Sequence, residues 1–223
     1  QKGEISMYFK ILREDLTHNG YTYHEGRNED PNLFDSTPDC RGGLFFSDTE
    51  HILKFCDYGT KIAEVVVPEG ELIVQVNDEY KAHQIILKGI KDLWTVETFE
   101  WLIECGVDIH ADNDGALYWA ACYNHLDVVK YLVEQGADIH SEDEEALCCA
   151  AGKGHLEIVK YLVEKGADIH VEDDCAFGWA AEGGHLEVVK YLVEHGADIN
   201  AFYNYAFRKA TENGYLEVVK YLV

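Results

Sequence analysis

HLDVVKYLVEQGADIH at 125–140 returns as HLEIVKYLVEKGADIH at 155–170 and as HLEVVKYLVEHGADIN at 185–200, and YLEVVKYLV at 215–223 begins another copy. The period is 30 residues, fixed by Lys130, Lys160, Lys190 and Lys220. A divergent copy, TVETFEWLIECGVDIH at 95–110, keeps the phase, with Gly106 in the place of Gly136. A recurrence of this length marks a stacked array, because one unit cannot bury its apolar face alone and its neighbours must. Within a unit, Leu126, Val129, Leu132 and Val133 fall at helical spacing, and Val128 and Tyr131 widen the stripe until the helix needs cover on more than one side. Asp127, Glu157, Glu187 and Glu217 put an acid at the positive end of this helix. Gly136, Gly166 and Gly196 stand where it stops in the left-handed conformation.

A second, shorter helix is expected upstream in each unit: ALYWAACYN at 116–124, ALCCAAGKG at 146–154, AFGWAAEGG at 176–184 and AFRKATENG at 206–214. Paired alanines (Ala120 and Ala121, Ala150 and Ala151, Ala180 and Ala181) favour helix and allow close approach between neighbours. Asn124, Gly154, Gly184 and Gly214 mark the turn between the two helices. The string AAxxGHLEVVKYLVExGADIN resembles the ankyrin repeat over residues 95–223, and its ADIH and KYLVE variants resemble the arrays of giant DNA viruses. The family unit is about 33 residues and opens its first helix with Thr-Pro-Leu-His. Here that slot reads GALY, EALC, CAFG and YAFR, and about three residues are missing before it, which implies that the family's projecting finger is reduced to a tight turn.

The resemblance implies a binding wall made of the first helix and the turn before it, on the concave face of the array. Carried over by position, that wall falls on Tyr118, Trp119, Tyr123, Cys149, Lys153, Trp179, Glu182, Arg208, Lys209 and Glu212, positions that vary while the framework repeats. Trp, Tyr and Arg dominate interface energetics. Trp119 and Trp179 are expected to be exposed there, the alternative being that they pack between helices. The turns DND at 112–114, EDEE at 142–145 and EDD at 172–174 should form an acidic ridge carrying Asp112, Asp114, Glu144, Glu145, Asp173 and Asp174. A protein partner with basic and apolar features follows. The final helix stops at Val223 with Val218, Val219 and Leu222 uncovered, so either further repeats or self-association through this end is expected.

Net charge is -24, from 42 acidic against 18 basic residues. Such a surface repels phosphate backbones and anionic lipid; neither nucleic acid nor membrane is an expected partner. Seven cysteines, with no CxxC pair, fit neither a disulfide framework nor a zinc module, and imply a reducing, cytoplasmic setting, that of the host if the chain is viral. Six of the eleven histidines fall on two repeat positions, His110, His140 and His170, and His125, His155 and His185, which argues loop hydrogen bonding and no metal. Gly152-Lys153-Gly154 lacks the remainder of a phosphate loop, and Asp112-Asn113-Asp114-Gly115 has Ala121 where a calcium loop needs Glu. No cofactor is expected.

Residues 1–6 precede the single methionine, Met7, and read as an appended segment. Residues 7–93 form a separate small α+β domain ahead of an all-α ankyrin-repeat solenoid at 94–223. Strands are expected at 7–12, 21–26, 43–47, 62–68 and 71–76, a helix at 47–59, a loop at 35–43, and a bridging helix at 78–90. The stretch at 41–70 resembles a small domain of phages and large viruses and, more distantly, ADP-ribosyltransferase-like folds, which would put Arg41 and Ser47 in an NAD pocket; neither Glu69 nor Glu79 is assigned the catalytic role that fold requires. The leading expectation is a noncatalytic adaptor. The alternative is an ADP-ribosyltransferase-like enzyme that uses the array as its substrate receptor.

Overall fold

The structure, a computed structural model, describes residues 7–223 apart from 19, 33, 35, 36 and 38–41 and the side chains of 143, 202 and 203. Residues 1–6, Arg41 and most of the expected 35–43 loop therefore lie outside the described residues. The chain divides into two compact units, 1–115 and 116–223.

In the first unit β1 (Tyr8–Leu12), β4 (Gly26–Glu29), β5 (Leu44–Asp48), β6 (Lys61–Val66), β7 (Val74–Val76), β8 (Glu79–Ala82) and β9 (Gln84–Asp92) form an antiparallel sheet in the order β4-β9-β6-β1-β5-β8-β7. A short hairpin of β2 (Thr17–His18) and β3 (Tyr21–Thr22) stands beside it. Leu12, Leu44, Phe46, Val65, Ile85 and Leu87 form its core. The expected helix at 47–59 is a 3-10 helix at Ile52–Tyr58.

The bridging helix expected at 78–90 is instead the β8 and β9 strands. Ile85 and Leu87 are fully buried while Gln84, Ile86 and Lys88 are not, a period of two. Gly89 has φ +64°, which interrupts any helical reading, and its N–H donates to Glu25 Oε1 at 2.7 Å. β9 pairs with both β4 and β6, so the strand's backbone groups are satisfied within the sheet.

The divergent repeat at 95–110 folds against this sheet. Its helix α1 (Val96–Glu104) is capped by Thr95, whose hydroxyl accepts from the Thr98 N–H. Trp101 meets Phe9 edge-on at 5.4 Å, and the Thr98 hydroxyl donates to Asp92 O at 2.6 Å.

The regular repeats give α2 (Ala111–Cys122) and α3 (Leu126–Glu134), α4 (Ser141–Gly152) and α5 (Leu156–Glu164), α6 (Val171–Glu182) and α7 (Leu186–Glu194), and α8 (Ala201–Glu212) and α9 (Leu216–Leu222). The second helices bury part of the expected stripe: Val128, Val129, Leu132 and their counterparts are at most 1% exposed from 128 to 192, while Leu126, Tyr131 and Val133 are half-buried. The paired alanines are fully buried, which lets α4 pack on α6 and α6 on α8. Two histidines join successive repeats, since His155 Nε2 lies 3.0 Å from Cys122 O and His185 Nε2 lies 3.0 Å from Gly152 O. A Cβ on Gly183 would come within 2.7 Å of that same Gly152 carbonyl, so glycine is required at this joint.

The cysteine reading is corrected. Cys122 is bonded to Cys149 and Cys148 to Cys175, with Cα–Cα distances of 5.4 and 6.1 Å. Both pairs are 27 residues apart. That spacing is the repeat period less three, the offset at which the first helices of neighbouring units face each other, and no search within a single unit would meet it.

The helix-one face as a candidate binding site

Each regular first helix, within the bounds given above, opens with a turn that no ordinary helix start would produce. Asp112, Asn113 and Asp114 have φ of 59°, 52° and 59°, and Glu172, Asp173 and Asp174 have 47°, 55° and 62°. Glu142, Glu144 and Asn204 are left-handed as well. Asp and Asn enter this region more readily than other residues that carry a Cβ. The expected tight turn thus takes the form of a left-handed loop whose third residue is turned inward at Asp114, Glu144 and Asp174 and outward at Asn204.

That inward turn corrects the expected acidic ridge. Asp112, Glu145 and Asp173 are exposed, but Asp114, Glu144 and Asp174 are only 8%, 2% and 4% exposed. Each buried acid meets the imidazole four residues earlier: His110 Nδ1 to Asp114 Oδ1 at 2.7 Å, His140 Nδ1 to Glu144 Oε1 at 2.5 Å, and His170 Nδ1 to Asp174 Oδ1 at 2.7 Å. Two of them also accept from the next repeat, Glu144 Oε1 from Asp168 N–H at 3.0 Å and Asp174 Oδ2 from Asp198 N–H at 2.9 Å. The hydrogen bond to Glu144, above all, raises the pKa of His140. All three acids hold their own turns, and Glu144 and Asp174 also hold their repeats to the next.

Asp174 divides its two bonds between its two oxygens, whereas Glu144, one methylene longer, takes both on Oε1 and leaves Oε2 buried without a partner among the described residues. Shortening it should relieve that cost. Glu144→Asp is expected to raise stability by about 1 kcal/mol, read as a higher urea midpoint; a lower midpoint refutes this account of the slot.

The remaining sequence-expected site residues divide by environment. Trp179 is 42% and Tyr123 43% exposed, while Trp119 is half-buried and stacks on Tyr123 at 5.4 Å. The two tryptophans thus divide between the two placements considered. Tyr118 is half-buried and edge-on to Trp119 at 4.9 Å, and burial, with the charge of Glu145, raises its phenol pKa. Lys153, Arg208 and Glu212 are exposed. Lys209 lies 3.3 Å from Glu212 and 3.7 Å from Glu182. Cys149, expected as a surface contact, is instead buried in its bond to Cys122, because the helix carrying it turns that sulfur towards the preceding repeat.

Sequence reasoning missed Tyr205. Its hydroxyl donates to Glu182 Oε2 at 2.6 Å, and that bond, with burial, pushes its phenol pKa up to about 12. With Trp179, Gly178, Glu172 and Asp173 it lines a cavity of about 450 Å³ between two repeats. The available signal was the variable slot before the framework alanine, which reads Gly115, Glu145, Cys175 and Tyr205. A Cβ on Gly178 would sit 3.1 Å from the Tyr205 ring, so the missing side chain makes room for the tyrosine.

A run of paired helices with an invariant buried framework and a variable outward face defines a helical-repeat scaffold for protein recognition. The chain belongs to the ankyrin-repeat family: ankyrin-repeat models match residues 92–173 and 179–223. It is 33% identical to an ankyrin repeat protein of Acanthamoeba polyphaga mimivirus over 56% of this chain and 65% of that one. A second ankyrin repeat protein of the same virus is 36% identical over 49% of this chain and 39% of its own length. An uncharacterized protein of that virus is 29% identical over 56% of this chain and 96% of its own length. The chain thus spans less than two thirds of the first of these relatives and about two fifths of the second. Among the described residues no helix is long and apolar enough to cross a membrane, and no group of three or more His, Cys, Asp or Glu could hold a metal ion. Ser47, the residue assigned to an NAD pocket by the distant resemblance, is 1% exposed and donates to Asp78 O at 2.8 Å.

Proposed function

We propose that the chain is a noncatalytic adaptor whose helix-one face, at 94–223, captures another protein, that of the host if the chain is viral, while the strand-rich part at 7–93 serves docking. The observation that carries this reading is the contrast between a framework repeated almost residue for residue and an outward face that changes from unit to unit, with Trp179, Tyr123 and Arg208 exposed on it. The net charge of -24 favours a partner with basic and apolar features over nucleic acid or membrane. A cytoplasmic setting belongs to the same proposal; there the four paired cysteines would be reduced in place, and thiol titration of protein taken from its source would read four additional free thiols. Self-association through the end of α9 is the other reading, although the expectation of an uncovered end is corrected at Val218, which is 1% exposed, and at Val219 and Leu222, which are half-buried. Light scattering over a concentration series separates the two, a constant monomer mass ruling self-association out.

Combined Trp119→Ala and Trp179→Ala replacement should weaken partner binding at least tenfold, since aromatic anchors such as the exposed Trp179 and the half-buried Trp119 carry a disproportionate share of interface energy. Affinity capture from host lysate, with the melting midpoint of the variant measured alongside, makes the test. Undiminished capture by a folded variant removes the proposed face; a collapsed melting midpoint shows both rings to be framework.

A further inference from the structure

β1 carries a charge where none is expected. Phe9, Ile11 and Leu12 are buried, and Lys10 between them is itself only 3% exposed. Its amine reaches Phe45 O at 2.5 Å and His18 Nδ1 at 3.1 Å, and stands 4.6 Å from the centre of the Tyr23 ring. Among the described residues Glu79 is the charge that acts on it, and Glu79 lines the same cavity without an ion pair to the amine. A buried ammonium without a paired carboxylate is costly. The hydrogen-bond inventory fits the neutral amine, whose two N–H groups match the two acceptors and whose lone pair is then uncommitted.

The cavity beside Lys10 holds about 210 Å³ and is walled by Phe45, Phe46, Ile52, Phe55 and Tyr58. That is below the range of sites for drug-sized ligands, and its lining is apolar and aromatic apart from Lys10, His18, Ser47 and Glu79. We propose that this cavity is a carbonyl-capturing site, in which the Lys10 amine condenses with a small aromatic or apolar aldehyde. Burial opposes the ammonium and brings the amine down to about 7, with Glu79 pulling the other way. His18 is brought down to about 4, by burial first and then by the charges of Lys10 and Arg13, so it stays a neutral acceptor near pH 7. Desolvation is one of the ways a lysine is made nucleophilic at neutral pH.

The step balances without a further reagent. The nitrogen lone pair attacks the carbonyl carbon, the C–N bond forms as the C=O π bond breaks, and one of the two N–H protons passes to the oxygen to give a carbinolamine. The C–O bond then breaks as the hydroxyl leaves as water, taking a proton from the Glu79 carboxyl, while the C=N bond forms and the nitrogen's remaining N–H proton passes to the Glu79 carboxylate. Burial raises the Glu79 pKa, which suits it to carry that proton. The site is stoichiometric, goes beyond the adaptor reading, and does not depend on it.

The test uses the full chain with benzaldehyde and cyanoborohydride, followed by intact mass and peptide mapping. At pH 7 the first benzyl adduct should fall on Lys10 at least tenfold faster than on any surface lysine. Its rate should level off above about pH 7, whereas surface lysines keep gaining to pH 9, because an ordinary lysine titrates near 10.4. Pyrenecarboxaldehyde, too large for the cavity, should leave Lys10 unlabelled. Lys10→Met should abolish the fast adduct, and Glu79→Gln should slow it without moving it. Because mapping is done on the unaltered protein, a variant that fails to fold does not decide the matter. Labelling of surface lysines with Lys10 untouched overturns the proposal, as does labelling of Lys10 by both aldehydes alike.

Discussion

Asp174→Ala should destabilise the array by about 3 kcal/mol or more, while Asp173→Ala, one residue earlier, should change stability by less than about 0.5 kcal/mol. The two acids look equivalent in the sequence but differ in the fold. Asp173 is exposed, whereas Asp174 is 4% exposed and bonds both His170 and the Asp198 N–H of the next repeat. Its loss leaves a backbone N–H without its acceptor and removes the contact that holds a left-handed turn in place, and methyl groups supply neither. Urea unfolding of the two variants followed by circular dichroism checks this. Equal midpoints would mean that the inward acid contributes nothing and that the turn is held by packing alone.

Opening the two cystine bridges should cost the array nearly as much. Each joins residues 27 apart, and in the chain-entropy account closing a loop of that length is worth about 3.5 kcal/mol. The bridges overlap in sequence, so their contributions should sum to less than twice that figure. Repeat arrays unfold in parts, because each unit touches only its neighbours. Cys148→Ala with Cys175→Ala should therefore speed amide exchange chiefly in α4 and α6, with smaller changes in α8. Identical exchange rates in oxidised and reduced protein would refute the clamp, and a free-thiol count that stays at seven after oxidation in air would show that the bridges do not form.

The array was legible because its signals agree at every level. The 30-residue spacing, the apolar stripe of Leu126, Val129 and Leu132, and the left-handed glycines at 136, 166 and 196 all specify the same helix ends. The strand-rich unit was legible only in part. Glu79 to Asp92 combine helix-tolerant residues with an Ile85 and Leu87 alternation too short to dominate, and the pairing partners that make them strands lie far away in sequence, at 26–29 and 61–66. On the candidate face the exposed aromatics followed from family position, but Asp114, Glu144 and Asp174 did not. Whether an acid in a turn points outward depends on backbone dihedrals that charge patterning does not encode. The cysteine bridges were missed for a related reason, since they are written between units and not within one.

The joints between units have a further meaning. Each histidine at 155 and 185 reaches back to a main-chain carbonyl, and each acid at 144 and 174 reaches forward to a main-chain amide, so these bonds need no particular side-chain partner, only the small residues at 154 and 183 that leave room for His185. Links made to peptide groups, unlike the cystine bridges, can be repeated in any copy that keeps the histidine, the acid and the small residues beside them. A gene built this way can lose, gain or exchange modules in register and still encode a chain that closes up, so that new ligand specificities can arise by recombination of whole cassettes without point-by-point repair of the seams.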